Sequence, residues 1–194
     1  MGAVCEKEAA VVASQKIDME LQRDRDKTAR QKKLLLLGAG ECGKSTILKQ
    51  VRIMHDDNWQ SENKEMQKRR IYSNIVMGAA ELCAGVEKVD LFLTVELEQH
   101  YDILKGVLKE KRDMDPITEE TKEALKALWA DPTIRKAYEL RSELQVADSI
   151  KHFLDSLDRI TASDYKPSNE DYLNLRTATT GVVEHRFEIK DTSF

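Results

Sequence analysis

The chain has 194 residues, with 31 Lys+Arg against 35 Asp+Glu and a formal net charge of −4. This near balance argues against a dedicated nucleic-acid-binding protein, which would carry a basic excess, so we expect no nucleic-acid partner. Hydrophobic residues make up 41% of the chain, enough for a packed core, but no apolar run approaches the ~20 residues that a membrane-spanning helix needs.

The first predicted element is a helix over residues 6–33, a segment that contains neither Gly nor Pro. Its apolar residues Val12, Ile17 and Leu21 form only a thin stripe, and charges of both signs cover the rest. A helix of this kind buries little of its own surface. It therefore either packs on a partner or remains a solvated arm.

A short apolar run, a glycine-rich turn and a second helix follow. Leu34–Leu37 is bounded by charges before it and glycines after it, which favours a buried parallel strand over a helix. Lys44–Met54 carries apolar residues at helical spacing on one face. The order strand, turn and helix is typical of phosphate-binding domains.

The segment from residue 57 to residue 175 is predicted to be almost entirely helical. Thr118 is a candidate N-cap, Asp131-Pro132 marks a break, and Lys166-Pro167-Ser168 marks the last stop and start. Val89–Val95 is ambiguous between a short strand and helix. With only 3 Pro and 8 Gly in the whole chain, mostly α structure is expected.

The character of the chain changes again near its end. Thr179-Thr180-Gly181 predicts a loop, and Val182–Ile189 is rich in β-branched and aromatic residues, which predicts a strand.

The glycine-rich turn carries the chemistry. Gly38-x-x-x-x-Gly43-Lys44-Ser45 matches the phosphate-binding P-loop pattern. Glycines let backbone N–H groups converge on phosphate oxygens, and the following helix directs its positive end at the same anion. Lys44 supplies a point charge for the β- and γ-phosphates, and Ser45 supplies a hydroxyl for Mg²⁺.

Residues 34–55 (LLLLGAGECGKSTILKQVRIMH) resemble the first strand, P-loop and first helix of heterotrimeric G-protein alpha subunits, with Cys42 where the family usually has Ser. Residues 171–184 (DYLNLRTATTGVVE) resemble the family's switch I. Residues 128–132 and 155–160 resemble stretches of its helical domain.

This resemblance implies an α/β P-loop (Ras-like) nucleotide-binding domain, incomplete in these residues, with a large all-α helical-domain insertion. The implied divisions are an N-terminal helix (1–33), a partial Ras-like GTPase domain (34–57 and 176–194) and the helical domain (58–175).

The resemblance also implies individual roles. Arg176 would be the catalytic arginine finger, supplied in cis to neutralise charge on the transferred phosphate. Ser45 and Thr179 would hold Mg²⁺. The residues implied to surround GTP or GDP are Glu41, Cys42, Gly43, Lys44, Ser45, Thr46, Asp148, Ser149, Leu173, Asn174, Leu175, Arg176, Thr177, Ala178 and Thr179.

Parts of the family pattern do not occur before Phe194, namely the switch II glutamine and the guanine-reading Asn-Lys-x-Asp loop. For these 194 residues alone we therefore expect impaired guanine specificity and little GTP turnover. Two strands without their neighbours have little independent stability, so the Leu34–Leu37 side chains would be exposed.

The resemblance implies as partners the beta-gamma dimer, bound through the N-terminal helix, and a G-protein-coupled receptor and effector. Gly2 is placed for myristoylation and Cys5 for palmitoylation, although Glu6 stands where the motif has Ser or Thr. Acylation would place the protein at the cytoplasmic face of the plasma membrane, and without it the chain would be cytoplasmic.

Two other readings remain open. The chain could be a non-enzymatic fragment that binds beta-gamma through residues 6–33 without a working nucleotide switch. It could also be a P-loop ATPase or kinase, although such proteins carry an apolar strand ending in Asp after the P-loop, a pattern that Val89–Val95 fits poorly.

Overall fold

A computed structural model describes residues 14–25, 28, 31–40, 42–55, 64–177, 181–189 and 192–194. The chain divides into two compact units, the first comprising Met1–Asp56 with Gly181–Phe194 and the second Asp57–Thr180. Most of the described residues are helical, as the composition predicts.

Residues 14–25 are helical and exposed. The remaining described helices are α1 (Lys44–His55), α2 (Lys64–Gly85), a 3-10 helix (Val86–Val89), α3 (Val95–Lys109), α4 (Glu119–Ala130), α5 (Pro132–Glu139), α6 (Arg141–Leu144), α7 (Ile150–Asp155), α8 (Leu157–Ile160) and α9 (Asn169–Asn174). The described strands are β1 (Glu188–Ile189) and β2 (Thr192–Ser193).

Side-chain caps fix where the helices of the second unit begin. The Thr118 hydroxyl accepts from the Thr121 N–H at 3.2 Å, which confirms the predicted N-cap. Asp131 ends α4 and caps α5, accepting from the Thr133 N–H at 2.7 Å. Ser168 forms a reciprocal capping box with Asp171 at the start of α9. Each cap satisfies a backbone donor that the helix itself leaves unpaired.

The core of the second unit is built around α2, which packs against α3, α4, α5 and α7. The buried residues of α2 recur at helical spacing along one side of the helix. The most completely buried large side chains of the unit include Ile71, Ile75, Leu82, Leu104, Leu125, Leu128, Ile134, Phe153 and Ile160.

The predicted strand at Leu34–Leu37 is wrong, because these residues are irregular and all four side chains are exposed. A parallel strand satisfies its backbone groups only through neighbouring strands. Among the described residues no strand pairs with this run. Its apolar composition indicated a buried environment but could not supply the pairing.

The strand predicted over Val182–Ile189 is wrong in extent. Only Glu188–Ile189 is a strand, paired antiparallel with Thr192–Ser193. The hairpin is closed by two backbone hydrogen bonds between Phe187 and Phe194, and the two rings stack at 5.4 Å. Because residues 182–187 have no partner strand among the described residues, their β-branched composition alone does not produce a strand.

Two helix predictions also need correction. Residues 31–33 are not helical, and the Gln31 N–H donates to the Thr28 carbonyl at 3.1 Å. Residues 6–13, 26, 27, 29 and 30 of that predicted helix lie outside the described residues. Val89–Val95 is neither strand nor continuous helix, since the 3-10 helix ends at Val89 and α3 begins at Val95 behind the Thr94 cap.

Candidate functional site

The glycine-rich loop of the first unit encloses the ammonium group of Lys44. The Lys44 Nζ donates to the Gly38 carbonyl at 2.9 Å and to the Ala39 carbonyl at 2.5 Å, and it lies 3.4 Å from the Cys42 Sγ. The side chain is half-buried. The loop therefore holds one positive charge at its centre.

Glycine is required at two positions of this loop. Gly43 has φ +86°, a conformation that side-chain-bearing residues rarely adopt. A Cβ on Gly38 would lie 2.6 Å from the Cys42 Sγ, so a side chain there would force the Cys42 side chain to move. The glycine pattern thus reflects both backbone conformation and close approach.

Helix α1 begins at Lys44, directly after the loop, and the Gly43 carbonyl accepts from the Ile47 N–H at 3.0 Å. The first backbone N–H groups of a helix have no partner within it and carry the positive end of the helix dipole. Half-buried Ser45 and exposed Thr46 lie in this first turn. The structure therefore brings Cys42, Gly43, Lys44, Ser45 and Thr46 together, while Glu41 lies outside the described residues.

The charges near this helix start favour an anion. The first turn of α1 contains no acidic residue. One turn later, burial lowers the pKa of Lys49 to about 8, so that this side chain still carries a positive charge at neutral pH. A phosphate at the loop would meet the Lys44 ammonium and a helix N-terminus.

In the second unit, Leu173 and Asn174 end helix α9, and residues 175–177 follow it. Leu173 and Asn174 are half-buried and Leu175 is buried, with its N–H bonded to the Asp171 carbonyl at 2.9 Å. Arg176 and Thr177 are exposed. Ala178 and Thr179 lie outside the described residues.

Asp171 anchors that segment. It is fully buried and accepts two hydrogen bonds from Arg159, at 2.7 and 2.8 Å, and one each from the Tyr165 hydroxyl and the Ser168 N–H. His152 Nε2 lies 2.8 Å from the same carboxylate. Burial alone would raise the pKa of Asp171, but the bonds from Arg159, Ser168 and His152 outweigh it and hold the pKa well below its usual range.

Asp148 and Ser149 also belong to the second unit. The Asp148 carboxylate is paired with the Arg141 guanidinium, and its backbone carbonyl accepts from the Tyr138 hydroxyl at 3.0 Å. Ser149 is half-buried directly before α7. The exposed Asp148 side chain is therefore held in place by a neighbour on α6.

The family model described as G-protein alpha subunit matches residues 12–194. The chain belongs to the G-protein alpha subunit family. It is 39% identical to the guanine nucleotide-binding protein alpha-17 subunit of Caenorhabditis elegans over 93% of its length and 51% of that protein. It is 37% identical to the guanine nucleotide-binding protein G(o) subunit alpha of Locusta migratoria over 97% of its length and 54% of that protein.

This alpha-subunit chain thus spans about half the length of the curated relatives it matches. Within its described residues, no helix combines the length and apolar character needed to cross a bilayer. The same residues contain no group of three or more His, Cys, Asp or Glu side chains that could by themselves hold a metal ion.

Sequence reasoning missed two residues around the family's candidate arginine. The first is Asn74 on α2, whose side-chain amide bonds to the backbone of Arg176. The second is Asp171, which sequence reasoning recognised as part of a motif but not as a buried charge. A Ser-x-x-Asp pattern at residues 168–171 signalled the capping box, but no sequence signal links Asn74 with a residue 102 positions away.

Proposed function

We propose that this chain is a guanine nucleotide-binding alpha subunit that relays receptor signals. The observation that carries the proposal is the Lys44 ammonium, held 2.9 Å from the Gly38 carbonyl at the start of a helix with no acid in its first turn. A β- or γ-phosphate oxygen is the kind of acceptor that this ammonium and the neighbouring N–H groups would bind. Family membership supports guanine as the base.

In this proposal the loop and the first turn of α1 hold the phosphates, with Glu41–Thr46 supplying backbone N–H groups and Lys44 supplying charge. Hydroxyl oxygen is a ligand that Mg²⁺ accepts, and Ser45 and Thr179 would hold the ion together with phosphate oxygens. When bound, Mg²⁺ neutralises phosphate charge. Ser45 fits that position because it lies half-buried one residue after Lys44.

We assign Arg176 as the catalytic residue that offsets charge developing on the transferred phosphoryl group. Its neighbours Leu173–Ala178, together with Asp148 and Ser149, would complete the surroundings of the nucleotide. We further propose that the first unit contains part of a Ras-like GTPase domain and that the second unit is the all-α helical domain.

The proposed partners follow from the family. A G-protein-coupled receptor, an effector and the beta-gamma dimer would bind the whole alpha subunit. Acylation at Gly2, with Cys5 as a second site, would hold it at the cytoplasmic face of the plasma membrane, because two lipid signals are needed for stable anchoring. Both residues lie outside the described part of the chain.

A second candidate function rests on the helical residues 14–25. Ile17, Met19 and Leu21 are each more than half exposed, and the helix buries none of its described residues. Such a surface suits the beta-gamma dimer, and a chain that binds it without cycling nucleotide would be an interaction module.

Equilibrium binding of a fluorescent, non-hydrolysable GTP analogue to the purified chain with Mg²⁺ tests the first proposal. We expect saturable binding that is roughly 10–100-fold weaker in Lys44→Ala, the loss expected for a charge-assisted hydrogen bond. Because we expect impaired guanine specificity in these 194 residues, excess ATP should compete for the same site. Lys33→Ala, an exposed lysine in the same unit, is the matched control. Binding that Lys44→Ala leaves unchanged would contradict the proposal, and binding that resists excess ATP would contradict the expected impairment of guanine specificity.

Capture of purified beta-gamma dimer separates the second candidate from the first. If the chain is an interaction module, capture survives Lys44→Ala and disappears when residues 6–33 are removed. Capture that persists without residues 6–33 would rule out the N-terminal helix as the binding element.

A further inference from the structure

The side chain of Asn74 forms hydrogen bonds with both backbone groups of Arg176. Asn74 Oδ1 accepts from the Arg176 N–H at 2.8 Å, and Asn74 Nδ2 donates to the Arg176 carbonyl at 3.1 Å. A side-chain amide thereby pairs with one residue as a neighbouring strand would in an antiparallel ladder. Two bonds to one residue restrict both the position and the direction of the chain there.

The orientation of this amide is fixed by a third bond. Asn74 Nδ2 also donates to the Arg70 carbonyl, one turn earlier on α2, at 3.0 Å. Exchanging the amide oxygen and nitrogen would place an acceptor against two carbonyls and a donor against an N–H. All three contacts therefore favour the same orientation.

The two hydrogen bonds between the Asn74 side chain and the Arg176 backbone, called the Asn74 clamp below, join two segments that are anchored in the core. Ser73 and Ile75, on either side of Asn74, are buried, and α2 is the 22-residue helix at the centre of the second unit's core. On the other side, Leu175 is buried immediately before Arg176. The Arg176 backbone is thus held by the core on its N-terminal side and by Asn74 at the residue itself, while its side chain is exposed.

We propose that Asn74 is a positioning residue, which fixes the backbone of Arg176 and so the point from which its guanidinium reaches the phosphates. This rests on the proposed catalytic role of Arg176. An arginine aids phosphoryl transfer only when its guanidinium is placed near the developing charge, and a fixed backbone removes part of the conformational freedom that would otherwise be lost on reaching that state.

Amide hydrogen exchange of the full chain, measured without nucleotide, tests whether the Asn74 clamp protects the Arg176 N–H. In Asn74→Ala the Arg176 amide should exchange on the order of tenfold faster, because its acceptor is lost. Thermal stability should fall only slightly, since the higher helix propensity of Ala offsets part of the loss of three exposed hydrogen bonds. Asn74→Asp keeps an acceptor for the Arg176 N–H but places a carboxylate oxygen against two carbonyls, so it should restore only part of the protection. Glu81→Ala, an exposed change on the same helix, should leave it unchanged.

Single-turnover GTP hydrolysis tests whether the clamp acts through the arginine. Asn74→Ala should lower the rate constant several-fold with little change in nucleotide affinity, and it should have no further effect in an Arg176→Ala background. An additive loss in the double variant, or unchanged Arg176 exchange in Asn74→Ala, would overturn the proposal. If Arg176→Ala hydrolyses GTP as fast as the wild type, the catalytic role of Arg176 fails, and hydrogen exchange alone decides whether Asn74 fixes the backbone.

Discussion

Replacing Asp171 with Asn removes the charge at the centre of the second unit's polar network while keeping the shape of the side chain. The carboxylate is fully buried and accepts from Arg159, Tyr165 and the Ser168 N–H. In the variant, the amide NH₂ is itself a donor and would face at least one of these donors without forming a hydrogen bond. The Arg159 guanidinium would also lose the negative charge with which it is paired.

The size of the effect follows from these contacts. Breaking a buried charge pair costs about 3–5 kcal/mol, and we take the lower end because the Arg159 side chain is 46% exposed and regains water. Weakening the capping box at Ser168 adds about 1 kcal/mol. A loss of about 4 kcal/mol from a unit of roughly 120 residues corresponds to a fall in Tm of roughly 10–15 °C.

Thermal unfolding followed by circular dichroism at 222 nm, at pH 7, measures this difference. Asp164→Asn is the matched control, since Asp164 is exposed on the loop after α8. Its Tm should change by no more than about 2 °C, as expected for an exposed surface substitution. A Tm of Asp171→Asn within 2 °C of wild type would refute the claim that this buried carboxylate supports the fold.

The pH dependence supplies a second check on Asp171. Because its pKa is lower in the folded state than the ~3.9 of an unfolded aspartate, the ionised carboxylate stabilises the protein fully above that value. The stabilisation is lost as the pH falls toward the folded-state pKa. The gap between wild type and Asp171→Asn should therefore be constant from pH 7 to about pH 5 and shrink below about pH 4. A gap that stays constant down to pH 3 would contradict this assignment.

Two further predictions concern the core and the thiols. Phe153→Ala should lower the free energy of unfolding in urea by about 3–5 kcal/mol because Phe153 is fully buried, whereas Phe92→Ala, at a side chain 74% exposed, should change it by less than about 0.5 kcal/mol. Equal effects would show that Phe153 is not a core residue. Burial raises the pKa of Cys83 to about 12, so at pH 8 peptide mass spectrometry should find iodoacetamide on exposed Cys42 well before Cys83. Alkylation of both at equal rates in the folded chain would contradict that burial.

Local signals account for the features that the sequence predicted correctly. The Thr118 cap, the Asp131-Pro132 break and the Ser168 start each depend on residues within three positions of one another. Because each of these features depends only on residues close in sequence, it can be predicted without knowing the tertiary structure, which then agrees with it.

The strand predictions failed for the opposite reason. Leu34–Leu37 has the composition of a buried strand, yet a strand exists only when another segment pairs with it. In β1 and β2, by contrast, each strand has a partner, because Glu188 and Ile189 pair antiparallel with Ser193 and Thr192. Composition predicts a preference for burial, while pairing depends on which other segments are present.

The candidate site likewise has one part that local sequence predicts and another that depends on contacts between distant residues. The sequence by itself predicted the candidate phosphate-binding loop, since its glycines, lysine and helix start are contiguous, and it identified the family. Only the tertiary structure decided that Asp171 is a buried charge and that Asn74 holds the backbone of Arg176. Those contacts join residues 12 and 102 positions apart, and they form because the packing of the helices brings polar groups that are distant in sequence within hydrogen-bonding distance. For the buried Asp171, leaving such a group unpaired would be costly.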